Sequence, residues 1–381
     1  MHLGWDSVYL RPADCPRNQK TRIETRIHLL IDSHVHVFPD LGLANGYDSV
    51  DEHMNFANSL MFHRSVGRKL SDNSLVVGRE WHRGENPEDL NFRGGDYGKF
   101  LWTVDGVDYS RYYLPPTARQ LDSPPEQIIA QMDYLGVSKG IVQGGHTYGR
   151  LNEYLGGVVR QYPERLYALA SIREWMADDP AVIAELRTAV EVHGLAGLFF
   201  DTASVQREGR SELPDDPVFD EFWGVVRELG IPVFWNVTSS SSELEGWMEQ
   251  HAAFGRWLER YPDVACVYTH GIPLYRFWDG GKLSIPSEIW DALQADNVHT
   301  EILIPILMGG LWDYPYTEST ELIREYYDRL GAEKLIWGSD MPNVERHCTY
   351  TQSLEYITKY YDFLSGVDID RICGDNVLSL L

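Results

Sequence analysis

The stretch IDSHVH, residues 31–36, follows a short apolar run and ends in two histidines two positions apart. Side chains alternate between faces in an extended segment, so His34 and His36 point to the same side and can reach one metal ion. Such a pair also arises by chance at the end of a half-buried strand. Whether it forms a site depends on what the rest of the chain brings beside it.

Short apolar runs rich in β-forming residues alternate with amphipathic stretches from residue 27 to the C-terminus, which is typical of repeated β-α units. Several of the amphipathic stretches begin with Asp-Pro or Ser-Pro and end with Gly, as helices do. The pattern predicts an α/β fold, a TIM (β/α)8 barrel, with a doubly wound open sheet as the alternative. The eight predicted strands are HLLIDSH (28–34), KGIVQ (139–143), YALASI (167–172), LAGLFFD (195–201), IPVFWN (231–236), ACVYTH (265–270), VHTEILI (298–304) and KLIWGS (334–339).

One long segment interrupts this alternation. Residues 39–125 are too many for a β-α loop and are rich in Gly, Asp, Tyr and Trp. They follow the first strand at its C-terminal end, the face on which barrel enzymes build their sites. We therefore predict an N-terminal extension (1–26) and a barrel (27–381) whose insertion (39–125) is a lid or an interface subdomain.

A carboxylate follows the eighth predicted strand, in the sequence Gly338-Ser339-Asp340-Met341-Pro342. Strand eight lies beside strand one in a closed barrel, so Asp340 can meet His34 and His36 although about 300 residues separate them. Two imidazoles and a carboxylate suit zinc, iron or manganese. Asp340 is also well placed to cap a turn, and the two roles are compatible.

Four other polar residues fall at predicted strand ends. His270 follows strand six and is a candidate ligand or general acid/base. Asn236 ends strand five, His146 follows strand two and Asp201 ends strand four. Each of these three could bind substrate or support a ligand, and His146 and Asp201 could also bridge metals or form only loop hydrogen bonds.

Composition excludes several classes of partner. The chain has 381 residues, 57 acidic against 33 basic, and a formal charge of −24, which repels nucleic acid and anionic membranes. It has no apolar run of about 18 residues and no secretory h-region, so we predict a cytoplasmic protein. The four cysteines are scattered and predict reduced packing residues rather than disulfides.

These motifs resemble those of the amidohydrolase superfamily, in particular its branch of aminocarboxymuconate-semialdehyde decarboxylase and related aromatic-acid decarboxylases. The resemblance rests on DSHVH, MDYLGV, YTHG and GSDMP, and it extends over most of the chain from residue 28. It implies that His34, His36 and Asp340 bind the metal. His270 is then the catalytic histidine or a further ligand.

The sequence departs from that branch at strand five, where Asn236 replaces an expected histidine ligand. His63, in the segment SLMFHR within the insertion, is the candidate for the missing donor. The insertion, through GDYGKFLWTVDGVDYSRYYLPP, is similar to that of non-haem metal hydroxylases related to aminoisobutyrate hydroxylase and to a diterpenoid hydroxylase. This second resemblance implies two metals, dioxygen chemistry and pairs of related subunits.

Three functions follow from these observations. The first is a metal-dependent hydroxylase, or its metal-binding companion subunit, with one or two zinc, iron or manganese ions and a small-molecule substrate. The second is a single-metal decarboxylase or hydrolase of a carboxylic acid. The third is a non-catalytic subunit stabilised by its metal. In each case we expect a homo- or hetero-oligomer with a related barrel.

Overall fold

Eight parallel strands form a nearly closed barrel in the computed structural model, which describes residues 29–62, 66–77, 90–241, 243–279 and 282–381. Each strand pairs with the next one along the chain, which confirms the predicted TIM barrel and excludes the open doubly wound sheet. The strands are Ile31–Val35, Lys139–Val142, Leu166–Ala170, Gly197–Asp201, Val233–Asn236, Cys266–Tyr268, Val298–Ile302 and Leu335–Trp337.

Backbone contacts join the first strand to the segment after the eighth. Val35 forms a parallel bridge with Met341, and the amide of His36 donates to the carbonyl of Met341 at 2.7 Å. The amide of Asp340 donates to the carbonyl of His34 at 2.8 Å. The closure predicted from the strand count therefore places the first strand beside the segment that follows the eighth.

The barrel interior is filled by apolar side chains from seven of the eight strands, because alternate residues of each strand point inward. These are Ile31, Ile141, Leu169, Phe199, Phe234, Val267 and Ile336. The seventh strand differs, since its Glu301 lies in register with Ile336. A carboxylate of the seventh strand thus lies beside an apolar interior residue of the eighth.

Helices cover the outside of the barrel, one after each strand. Local sequence fixes their ends: Asp179 accepts a hydrogen bond from the amide of Ala181, and Gly136 and Gly230 end their helices in the left-handed conformation. The main helices are Pro125–Leu135, Asn152–Gln161, Pro180–Glu191, Asp220–Leu229, Leu244–Arg260, Ser287–Leu293, Thr320–Leu330 and Tyr350–Tyr360.

The insertion after the first strand has its own secondary structure. It contains the helix Val50–Phe62 and a five-stranded antiparallel sheet, in the order Leu75–Val77, Val66–Lys69, Val107–Tyr112, Lys99–Val104 and Arg93–Gly94. Its two ends meet where Phe38 and Ser123 exchange backbone hydrogen bonds of 3.0 and 2.9 Å. That the insertion is a lid or an interface stays a prediction.

Some predictions concern residues that are only partly described. Cys266, Cys348 and Cys373 are buried and unpaired, as predicted, whereas Cys15, the extension 1–26 and His63 lie outside the described residues. Within the described ranges, every helix is too short or too polar to cross a membrane.

Candidate metal centre

Three predicted ligands lie together at the C-terminal end of the barrel. One nitrogen each of His34 and His36 and one carboxylate oxygen of Asp340 lie within 4.8 Å of one another, and all three residues are buried. The first strand positions the histidines, and the loop after the eighth strand positions the aspartate. The structure thus brings together residues from opposite ends of the sequence.

The His34 ring is held by one nitrogen only. Its Nδ1 lies 2.9 Å from Oε2 of Glu301, while its Nε2 is buried and has no hydrogen-bond partner among the described residues. Burial lowers the pKa of His34 although Glu301 opposes the shift, so the ring is neutral. Since Nδ1 donates its proton to Glu301, the unpartnered Nε2 carries a free lone pair.

Both nitrogens of the His36 ring have a polar neighbour. Its Nδ1 donates to the backbone carbonyl of Gln143 at 3.0 Å, and its Nε2 faces Oδ1 of Asp340 at 2.9 Å. In a neutral ring this places a lone pair against a carboxylate oxygen. A divalent metal ion held by both residues would take up this lone pair and the charge of the carboxylate.

Asp340 is a buried carboxylate in a left-handed turn, with a φ of 63°. Burial alone would raise its pKa, but the interactions with His270 and His36 hold that pKa well below the usual range. Asn343 donates to its Oδ1 at 2.8 Å. Asp340 is therefore ionised and fixed in orientation.

His270 lies beside this group and is more accessible. Its ring centroid is 4.7 Å from that of His34, its Nε2 is 3.8 Å from Oδ2 of Asp340, and its side chain is 28% exposed. Burial opposes protonation, but the Asp340 carboxylate outweighs it and raises the pKa of His270. A histidine of this kind can both hold a proton and exchange it with a bound molecule.

Glu301 is a residue that sequence reasoning missed. Its side chain accepts hydrogen bonds from Ser33 Oγ, Gln143 Nε2, His34 Nδ1 and the backbone amide of His270. The one available signal was a carboxylate inside an apolar strand, two positions after His299. Its importance comes from partners on the first strand and just after the second and sixth, which the local sequence does not reveal.

Asp201 and His146, predicted as possible supporting residues, form their hydrogen bonds with residues outside the metal group. Asp201 caps the helix that follows it, accepting from the amide of Ala203 at 3.3 Å and from Ser204 Oγ at 3.1 Å. His146 lies between Tyr47 Oη, at 2.8 Å, and Glu174 Oε2, at 2.5 Å. Both residues thus form hydrogen bonds within loops, and a role of either in binding substrate stays a prediction.

Asn236 ends the fifth strand, half-buried and in register with Asp201. It is two residues beyond Phe234, whose side chain lies in the barrel interior. Its amide is therefore at the level where a histidine ligand was expected. His63, the candidate replacement donor, lies outside the described residues.

The donor set fits a divalent metal ion. The orphaned Nε2 of His34, the Nε2 of His36 and the Asp340 carboxylate converge, and each is fixed by a second hydrogen bond. Mixed nitrogen and oxygen ligands suit zinc, iron or manganese. Among the described residues this is the one group of three such side chains close enough to share an ion.

Solved structures of other proteins share this fold. A probable 2-pyrone-4,6-dicarboxylic acid hydrolase from Acinetobacter baumannii is 16% identical, with a TM-score of 0.52 over 70% of this chain and 93% of that one. A 2,6-dihydroxybenzoate decarboxylase from Rhizobium is 17% identical, with a TM-score of 0.51 over 68% and 88%. A dihydroxybenzoic acid decarboxylase from Polaromonas sp. JS666, solved with manganese and 2-nitroresorcinol, is 16% identical, with a TM-score of 0.50 over 68% and 86%.

At these identities the likeness establishes the fold alone. No curated protein sequence matches this chain. The sequence model of a family of metal-dependent barrels does match, over nearly the whole described length. That match covers residues 31–381 and its description is amidohydrolase, so this chain belongs to the amidohydrolase family.

Proposed function

We propose that this chain is a divalent-metal-dependent decarboxylase or hydrolase of a small carboxylic acid. The observation that carries the proposal is the group of His34, His36 and Asp340, the one such group among the described residues, with the accessible His270 beside it. Solved structures of the same fold include decarboxylases and a hydrolase, which supports the choice of reaction class.

In this proposal, different residues bind the metal and transfer the proton. A bound divalent ion would supply Lewis acidity, orienting a substrate carboxylate or polarising water. His34, His36 and Asp340 would hold that ion, with their orientations set by Glu301, Gln143 and Asn343. His270 would move the proton, because its ring reaches solvent and Asp340 favours its protonated form.

An anionic substrate needs a local cation in a chain whose net charge is −24. Arg173 is a candidate, since its Nε is buried without a hydrogen-bond partner among the described residues and its backbone is extended after the third strand. Arg173 lies three residues beyond Ala170, the last residue of the third strand, and therefore at the C-terminal end of the barrel, as the metal group does. We propose that Arg173 binds a carboxylate of the substrate.

The hydroxylase predicted from the insertion has weaker support. Its two-metal form needs a second donor group, and the described residues contain one group only. His63 was proposed to complete the set, and it lies outside them. No structural observation favours the companion-subunit or the non-catalytic alternative, and association with a related barrel stays a prediction.

The proposal is tested by loading the purified chain with zinc, manganese or iron and supplying aromatic and aliphatic carboxylic acids. We expect release of carbon dioxide or hydrolysis with one ion per chain, loss of bound metal in His34→Ala, and loss of turnover with retained metal in His270→Gln. Arg173→Ala should raise KM more than it lowers kcat. Substrate-dependent oxygen uptake with two ions per chain would refute the proposal in favour of the hydroxylase.

A further inference from the structure

Glu301 connects the metal group to the acid/base histidine, and nothing in the family match assigns it a role. We propose that Glu301 is the positioning residue of this site: one of its oxygens fixes the tautomer of His34 and holds the turn that carries His270. Its importance for catalysis rests on the function proposed above. Its effects on metal binding and on the apo protein do not.

The contact with His34 determines which nitrogen is free for a metal. Oε2 of Glu301 lies 2.9 Å from Nδ1 and can only accept, so the proton of the neutral ring resides on Nδ1. Nε2 then keeps its lone pair and, among the described residues, has no competing partner. Without the carboxylate, nothing in this contact prevents the proton from moving to Nε2 and blocking the ligand.

The same oxygen also holds His270. The backbone amide of His270 donates to Oε2 at 2.8 Å. His270 has a φ of 63°, a left-handed conformation that is unfavourable for a residue with a side chain. Gly271 follows with a φ of 75°, and a Cβ atom there would lie 2.6 Å from the backbone oxygen of Glu301. The side chain of Glu301 therefore holds this turn by a hydrogen bond, and its backbone packs closely against Gly271 in the same turn.

The position requires a group that only accepts. The other oxygen, Oε1, receives Ser33 Oγ at 2.8 Å and Gln143 Nε2 at 2.7 Å, so four donors converge on a side chain in a residue that is 1% exposed. A glutamine has one amide oxygen and one amide donor, and it lacks the negative charge. It would fill the space without reproducing the set of contacts.

The matched control is Glu174→Gln. Glu174 is equally buried, also accepts from a histidine, His146, and also lies at the C-terminal face of the barrel. It contributes no atom to the group formed by His34, His36 and Asp340. Glu174→Gln therefore removes a comparable buried carboxylate and changes no member of the metal group.

The experiment compares wild type, Glu301→Ala, Glu301→Gln and Glu174→Gln. The readouts are zinc affinity by chelator competition, the His34 tautomer by 15N NMR of the metal-free protein at fixed pH, and hydrogen exchange at the His270 amide. We expect 10- to 100-fold weaker zinc binding in both Glu301 variants, as for other residues that orient a ligand. We also expect a shift of the His34 proton toward Nε2, faster exchange at His270, and wild-type values for Glu174→Gln.

Glu301→Gln has nearly the shape of the native side chain and serves as the test if the alanine variant does not fold. Zinc affinity within twofold of wild type and an unchanged tautomer in a folded Glu301 variant would overturn the proposal, as would an equal loss of affinity in Glu174→Gln. Unchanged exchange at His270 would overturn its second half. A wild-type chain that neither decarboxylates nor hydrolyses any acid would contradict the proposed function and leave these readouts intact.

Discussion

His251→Gln should make the stability of the protein less sensitive to acid. His251 is buried in the helix Leu244–Arg260, where its Nδ1 lies 3.0 Å from Tyr268 Oη and its Nε2 lies 3.2 Å from the carbonyl of Ile289. A neutral ring satisfies both contacts, accepting from the tyrosine and donating to the carbonyl. Tyr268 is two residues before His270, so this histidine also supports the strand that leads into the site.

The magnitude follows from the pKa. Burial lowers the pKa of His251 from 6.5 to about 4, so between these values the unfolded chain binds a proton that the folded protein does not. Stability is therefore complete above the unfolded pKa and falls as the pH drops. Proton linkage gives a loss of about 2 kcal/mol from this residue between pH 7.5 and pH 5. His299, whose pKa is also lowered to about 4 by burial, adds a similar contribution in all variants.

The assay is urea unfolding of wild type and variants at those two pH values. His251→Gln should be less stable than wild type at pH 7.5, because the ring and its packing against Trp247 are lost, but it should lose about 2 kcal/mol less on acidification. Tyr268→Phe is the control, since it removes the hydroxyl and keeps the titrating ring, and it should retain most of the pH dependence. Parallel pH profiles for wild type and His251→Gln would show that this reasoning is wrong.

Three further predictions concern the barrel and its insertion. Gly338→Ala should destabilise the protein and weaken metal binding, because the new Cβ would lie 2.7 Å from Ser33 Oγ and 2.8 Å from His34 Cβ; unfolding and zinc titrations test this. Gly157→Ala, in a helix and facing open space, should raise the free energy of unfolding by up to about 1 kcal/mol, and a lower value would contradict the helix-propensity argument. Tyr47→Phe should cost about 1 kcal/mol by removing the hydrogen bond to His146, without changing zinc affinity.

The sequence was sufficient to predict the barrel and the central group of the site. Strand alternation placed His34 and His36 on one side, and closure of eight strands placed Asp340 beside them. Both inferences use regular geometry that holds whatever the surrounding side chains are. The predicted strand bounds differ from the observed ones by at most three residues at either end, because the sequence pattern does not mark where hydrogen-bonded pairing stops.

The supporting residues could not be predicted in the same way. Glu301, Gln143 and His146 owe their roles to partners that are distant in sequence, and each choice of partner depends on side-chain orientation within a few ångströms. Asp201 was predicted only to lie at a strand end with several possible roles, and its capping of the following helix depends on the backbone turn after that strand. The antiparallel sheet of the insertion was missed because its strands are short and half-polar.

The pairing of Phe38 with Ser123 has a consequence for how this protein could diversify. The insertion leaves and re-enters the barrel at adjacent points, so its length can change without any strand of the barrel changing register. Ser123 also donates from its Oγ to the carbonyl of His36 at 2.7 Å, which anchors the returning chain to the residue that carries a proposed ligand. A transplanted segment of another size that keeps this junction would leave the metal group intact. The insertion is therefore a place where substrate specificity could be engineered while the barrel and its metal group stay unchanged.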